Sequence, residues 1–243
     1  VFELRGLTLA REAAKLDIEV GEGEVLAVVA LAGNGLGRLE DFASGMLVPS
    51  EGSVLVKGKR LKAFRRDALR SSFLAYVPSE RESAGLCLAS SLRDNLLALR
   101  RKEFRGIDWI IAKRRDRAAK DTAALFDLAA DLGSLAGSLS GGNRQRLLLC
   151  RELDRPRPAA LLAEPFQGLD IAAHERAVAR VRELATLGSA ILLLVSNVEE
   201  ALEASDRVIA LYRGTIAYEG PNEGEATTSR LLDAMIGARQ YAQ

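Results

Sequence analysis

Short apolar runs alternate with longer amphipathic stretches along the chain, the pattern of a layered α/β domain. Val1–Leu9 and Lys15–Val20 alternate apolar and polar residues and predict an early strand pair, followed by a Gly21-Glu22-Gly23-Glu24 turn. Val25–Leu31 is continuously apolar, as expected of a strand buried on both faces. A glycine-rich turn, Gly33-Asn34-Gly35-Leu36-Gly37, leads from it into a helix predicted to reach Met46. Strands are predicted at Gly52–Gly58 and Phe73–Val77, the second stopped by Pro78. From Leu92 to Leu139 the periodicity is helical. A helix from Ser140 to Asp154, a strand at Ala159–Leu162, a helix over Ala172–Leu187 and a strand at Ala190–Ser196 follow. The chain then predicts a helix over Val198–Ala204, a hairpin over Arg207–Glu219 turning at Arg213-Gly214, and a last helix over Thr228–Ile236.

Composition narrows the function. With 34 basic and 33 acidic residues, the net charge of +1 gives no whole-protein field to recruit nucleic acid or anionic lipid. An apolar fraction of 48% is that of a globular chain. The longest apolar runs fall well short of the ~20 residues that span a bilayer. No basic-then-apolar leader opens the chain, so a cytoplasmic location is expected. The start at Val1, inside a strand-like run, suggests an excised segment. Cys87 and Cys150 are far apart and there is 1 histidine, which disfavours a disulfide framework and a metal site of the usual kind. Basic side chains outnumber acids across residues 93–120, reading either as a solvated helical face or as a docking surface.

The glycine turn has the local form of a phosphate cradle, because backbone N–H groups and a helix dipole converge there. A dinucleotide fingerprint would need a third glycine where Arg38 stands. A nucleotide P-loop, GxxxxGK[ST], aligned on Gly35, would put Ala30 at the leading glycine, Leu36 at the lysine and Gly37 at the hydroxyl. No lysine occurs between Lys15 and Lys57, so no slip of register restores one. Arg38 comes too late to copy the lysine, although it could reach a phosphate from outside. A plain strand-to-helix turn remains an equal reading of this loop.

Leu139-Ser140-Gly141-Gly142-Asn143-Arg144-Gln145-Arg146 changes the balance. The string resembles the signature motif of ABC transporter ATPases, in the LSGGN form of sugar- and nucleoside-type importers. Ala159–Asp170 (AALLAEPFQGLD) resembles a Walker B strand and D-loop, and Val195–Asp206 the switch-histidine segment. Tyr76–Asn95 (YVPSERESAGLCLASSLRDN) resembles the Q-loop region of those importers, which often reads Tyr-Ile-Pro-Glu-Asp-Arg. The resemblance runs over nearly the whole chain. It implies an α/β P-loop NTPase core of the ABC type, with an antiparallel β subdomain and a helical subdomain at roughly 83–150, in one nucleotide-binding domain over residues 1–243. It is nearest to the second half of importer ATPases whose two halves share a polypeptide.

The departures from that family bear on mechanism. The magnesium-holding Walker B aspartate is replaced by Ala163, while the following carboxylate is kept as Glu164. Asn197 stands at the switch histidine, and His174 lies in the helix after the D-loop. Ser79 occupies the Q-loop glutamine position, and no aromatic between Phe2 and Phe42 supplies the adenine-stacking ring. Losing one preorganised donor costs about 3 kcal/mol, and losing the metal several more. The resemblance therefore implies a half whose own site (Gly33–Arg38, Ser79, Ala163, Glu164, Asn197) is impaired and binds nucleotide weakly or not at all. Its signature residues Ser140, Gly141, Gly142, Asn143 and Gln145 would complete an ATP and Mg2+ site on a partner half, with Asp170 at the seam. Other implied partners are transmembrane permease subunits and, indirectly, a substrate-binding protein, at the inner face of the cell membrane. An active stand-alone ATPase and an ABC-like scaffold without nucleotide are the alternative readings.

Overall fold

The computed structural model describes residues 1–10, 13–60, 73–100, 112–129 and 131–238. They fall into two compact units, the first comprising Val1–Tyr76, Pro156–Glu164 and Val181–Gln243 and the second Val77–Arg155 and Pro165–Arg180.

In the first unit, strands β1 (Phe2–Leu7), β2 (Leu16–Val20), β4 (Ser53–Val56) and β5 (Lys59–Arg60) form an antiparallel sheet in the order β2-β1-β4-β5. Alternation sets its register: Phe2 and Leu4 of β1 stand opposite Val20 and Ile18 of β2, all buried. The other sheet has the order β10-β9-β3-β8-β7-β6. Its members are β3 (Val25–Val29), β6 (Leu74–Val77), β7 (Ala159–Ala163), β8 (Ala190–Val195), β9 (Arg207–Tyr212) and β10 (Thr215–Pro221). β9, β3, β8 and β7 run parallel, and every residue of β3, β7 and β8 is buried, as their unbroken apolar runs require. Each such Val or Leu contributes about 1.5–3 kcal/mol by burial, which makes these strands the fixed floor under the loops at their ends. The β9–β10 turn takes left-handed φ at Arg213 (50°) and Gly214 (79°), the primed hairpin geometry that the Arg-Gly pair allows.

Helix α1 (Leu36–Ala43) buries Leu39, Phe42 and Ala43 in the core of this unit. It stops short of the predicted Met46 because Gly45, at φ 74°, turns the chain out of the helix and donates back to Phe42 O. Met46, Leu47 and Val48 are consequently exposed. Helices α6 (Val198–Ala204) and α7 (Glu225–Met235) also belong to the unit, the latter capped by Gly224 and starting at Glu225, before the predicted Thr228.

The second unit is helical: a single π-turn at Arg81–Gly85, α2 (Leu92–Leu97), α3 (Ala112–Ala123), α4 (Gly141–Glu152) and the part of α5 (Ile171–Thr186) up to Arg180. Leu92, Leu96, Ala119, Phe126, Leu147 and Leu148 are buried here. The helical stretch predicted over Leu92–Leu139 is interrupted by 3-10 turns at Ala124–Phe126 and Ala136–Ser138, with Asp127 left-handed between them. The basic surplus of this region is partly spent internally, through Arg93–Asp116 (2.6 Å) and Arg115–Asp94 (2.8 Å). Arg101, Lys102 and Arg105 lie outside the described residues. The unit, Val77–Arg155 with Pro165–Arg180, runs past residues 83–150 at both ends.

Candidate functional site

In the first unit the glycine turn follows β3 and delivers the chain into α1 at Leu36, the position that alignment on Gly35 gave the phosphate-binding lysine. Gly33 (φ 83°) and Gly35 (φ 110°) are left-handed, and Gly35 caps the helix without a side-chain bond. Asn34 is held by the β9–β10 turn: its Oδ1 accepts from Arg213 N (2.8 Å) and its carbonyl from Gly214 N (3.1 Å). Leu36 packs against the core, and Gly37 is exposed with no side chain to offer. Arg38 lies with its guanidinium 5.5 Å from the centre of the Phe42 ring. Farther along α1, partial burial and then the neighbouring Glu40 charge raise the Asp41 carboxyl, with Arg38 opposing them. Glu40 itself accepts a buried hydrogen bond from Tyr76 Oη at 2.7 Å.

At the end of β7, Ala163 is buried within the core. Glu164 takes a left-handed φ of 45°, a costly backbone for a non-glycine residue. Two bonds hold it there: its N–H donates to Leu194 O (2.9 Å), and its Oε1 accepts from Ser196 N (2.9 Å). Asn197 caps α6, its Oδ1 accepting from Glu199 N at 2.8 Å. Leu36 and Gly37 in this loop, and Ala163 at the end of β7, stand at the three positions where the P-loop and Walker B patterns would bring a cation, a hydroxyl and a carboxylate.

In the second unit, Ser140 is an extended N-cap whose Oγ accepts from Asn143 N (3.4 Å), and in the first turn of α4 that follows Gly141 is exposed while Gly142, Asn143 and Arg144 are half-buried. The two glycines differ. A Cβ on Gly141 would meet nothing within 4 Å, whereas one on Gly142 would stand 2.8 Å from Gly168 O. Gly142 is thus a glycine because a loop of the same unit lies against it. Gln145 is buried, its Nε2 donating to Pro165 O (2.7 Å) and its Oε1 accepting from Arg81 (3.2 Å). Asp170 caps α5, accepting from Ala173 N at 2.9 Å, and pairs with Arg146. Ser79 is half-buried in the bend after β6. His174 packs on the Phe166 ring, their centroids 4.9 Å apart. Cys150, on the inner face of α4, has its thiol pushed up to about 12, chiefly by burial.

Sequence reasoning missed Arg81, Gly168 and Arg146 as members of this constellation. Arg81 stood within the quoted YVPSER stretch, but its partners are more than sixty residues away in the chain.

A parallel sheet ending in a glycine turn and helix, with an antiparallel sheet beside it in the first unit and a helical second unit that carries LSGGN at a helix start, defines the ABC-type P-loop ATPase fold. The ABC transporter family model matches residues 13–167, and the chain belongs to that family. It is 34% identical over 241 residues to the ribose import ATP-binding protein RbsA 2 of Rubrobacter xylanophilus, covering 98% of this chain and 46% of the relative. It is 27% identical to the guanosine import ATP-binding protein NupO of Bacillus subtilis, over 99% of this chain and 47% of that one. The chain therefore spans about half the length of the curated relatives it matches. Among solved structures, the ADP- and phosphate-bound dimer of the ATP-binding cassette MJ0796 superposes with a TM-score of 0.80 at 18% identity, covering 92% of this chain and 100% of that one. That likeness supports the fold.

Proposed function

We propose that this chain is the degenerate half, the C-terminal one of a tandem, of an importer's ATPase, and that it lends its signature helix to an ATP site whose phosphate loop belongs to the other half. The observation that carries the reading is the contrast between the two candidate loops. The serine-capped first turn of α4 keeps free space at the exposed Gly141, where an anion could approach backbone N–H groups. The α1 turn offers apolar Leu36 and side-chain-free Gly37, and β7 ends in Ala163. Bound ATP and Mg2+ would supply the reacting phosphate and its charge neutralisation in the composite site. Ser140, Gly141 and Gly142 would present helix-end N–H groups and a hydroxyl to that phosphate and Asn143 its side-chain amide, while Gln145 holds the helix from inside.

The ribose and guanosine import relatives support a sugar or nucleoside as the cargo class, a vitamin-like molecule being a further reading, with the cargo selected by other subunits. The other half, permease subunits and, indirectly, a substrate-binding protein would be the partners, on the cytoplasmic face of the membrane. Closure on ATP and release after hydrolysis at the composite site would drive the permease, so an inactive site in this half does not prevent coupling.

Gly141→Asp and Leu36→Ala, compared in the full-length protein assembled with its permease in vesicles, test the reading. A carboxylate at Gly141 fits sterically but repels phosphate at the helix end, so ATP hydrolysis should fall by about a hundredfold or more. Leu36→Ala should retain most of it. Hydrolysis that survives Gly141→Asp would refute the reading.

A further inference from the structure

Arg81 opens the π-turn Arg81–Gly85, a rare backbone form that concentrates at functional positions. Its Nη1 donates both to Gln145 Oε1 (3.2 Å) on α4 and to the Gln167 carbonyl (3.1 Å) in the loop before α5. Gln145 reaches the same loop through Pro165 O. Between these bonds, Gly142 lies against Gly168 O, and a Cβ on Gly168 would stand 3.7 Å from Arg81 Nη1. Farther along α4 the π-turn is gripped again, by an Arg144–Glu82 pair and by Arg151 Nη2 donating to Gly85 O at 2.7 Å. All these residues lie within the second unit.

We propose that Arg81 is a positioning residue that locks the first turn of α4 and the loop Pro165–Asp170 into one rigid element. The donors at Ser140 and Gly141 and the carboxylate of Asp170 then keep a fixed register. Arginine suits the task because its planar fork stays charged and can serve two acceptors at once. The inference rests on the reading of α4 as the signature helix that completes a partner's ATP site. The lock itself stands on the geometry alone.

Hydrogen exchange on the full-length protein without nucleotide, followed in peptides covering residues 139–146 and 165–172, is the test. Hydrogen bonds from a charged donor are strong enough that Arg81→Met should speed exchange about tenfold or more in both peptides. Peptides from β3 and β8 should not change. Arg81→Lys should recover part of the protection, and ATP hydrolysis in the assembled transporter should follow the same order. Gln145→Met removes one of Arg81's acceptors and should reproduce the paired acceleration if Arg81→Met folds poorly. Acceleration in only one peptide, equal acceleration in β3 and β8, or no recovery with lysine would overturn the proposal. Gly141→Asp should leave exchange at 165–172 unchanged; if it also leaves hydrolysis intact, the signature reading fails while the lock remains.

Discussion

Helices α1 and α4 both begin where a glycine-containing turn hands the chain to a helix, yet their first turns are built for different ends. At α1 the cap is a left-handed Gly35 with no side-chain acceptor, the next residue is an apolar Leu36 packed on the core, and the turn is tied back to the β9–β10 hairpin through Asn34. At α4 the cap is Ser140, the next residue leaves open space, and the helix is braced from within its own unit by Arg81, Gln145 and the close contact at Gly142. The field at a helix N-terminus is common to both. Strong phosphate binding needs, in addition, either charged and hydroxyl side chains at the loop or a rigid mount that presents the bare backbone to a ligand held elsewhere. The α1 turn carries Leu36 and Gly37 where the first would stand, and the function proposed above rests on α4 supplying the second.

Three measurements sharpen this contrast. The largest effect is expected at Gly142. A methyl group there meets Gly168 O at 2.8 Å, so Gly142→Ala should cost about 1–3 kcal/mol, more than the ~0.5–1 kcal/mol gained by replacing a helical glycine. Thermal unfolding should show a lower midpoint, by about 2–4 °C for each kcal/mol. Gly37, in the first turn of α1, has nothing within 4 Å of the added methyl, so Gly37→Ala should leave the midpoint unchanged or raise it slightly. A stable Gly142→Ala would mean that the loop yields, and the brace on α4 would be weaker than its geometry implies.

Next comes the cap. Ser140→Ala removes the acceptor for Asn143 N and should lower stability by about 1 kcal/mol in a denaturant titration. Asn197→Ala, at the cap of α6, should cost a similar amount, because its side chain does the same work for Glu199 N. A cost at Asn197 near zero would separate the two caps.

The smallest effect is chemical. Cys87 is exposed, while Cys150 is buried on α4 with its thiol raised to about 12. A raised value leaves less thiolate at any given pH, so alkylation at pH 8 should modify Cys87 and spare Cys150 in peptide mass spectrometry. Early modification of Cys150 would show that α4 opens readily and would count against a rigid mount.

Much of this architecture was legible before any coordinates. The apolar runs read as strands at Val25–Leu31 and Ala190–Ser196 are doubly buried over Val25–Val29 and Ala190–Val195, with Leu31 already exposed, and Arg213-Gly214 marked a tight hairpin. The identities at Leu36, Gly37 and Ala163 likewise fixed which chemical groups the α1 turn and the end of β7 lack. These are local properties, set by periodicity, by backbone freedom and by which atoms a side chain carries.

The tertiary structure decided the rest. Gly141 and Gly142 are alike in the sequence, but only at Gly142 does a distant atom, the carbonyl oxygen of Gly168, occupy the Cβ space. Gln145 looked like part of an outward-facing motif and proved to be an internal bracket. Arg81 carried no mark in its own segment of a partnership with residues 145 and 167. Sequence periodicity reports which face of an element is buried. Which distant backbone carbonyl comes to lie against that face depends on how helices and loops far apart in the chain pack together, and only the folded chain fixes that.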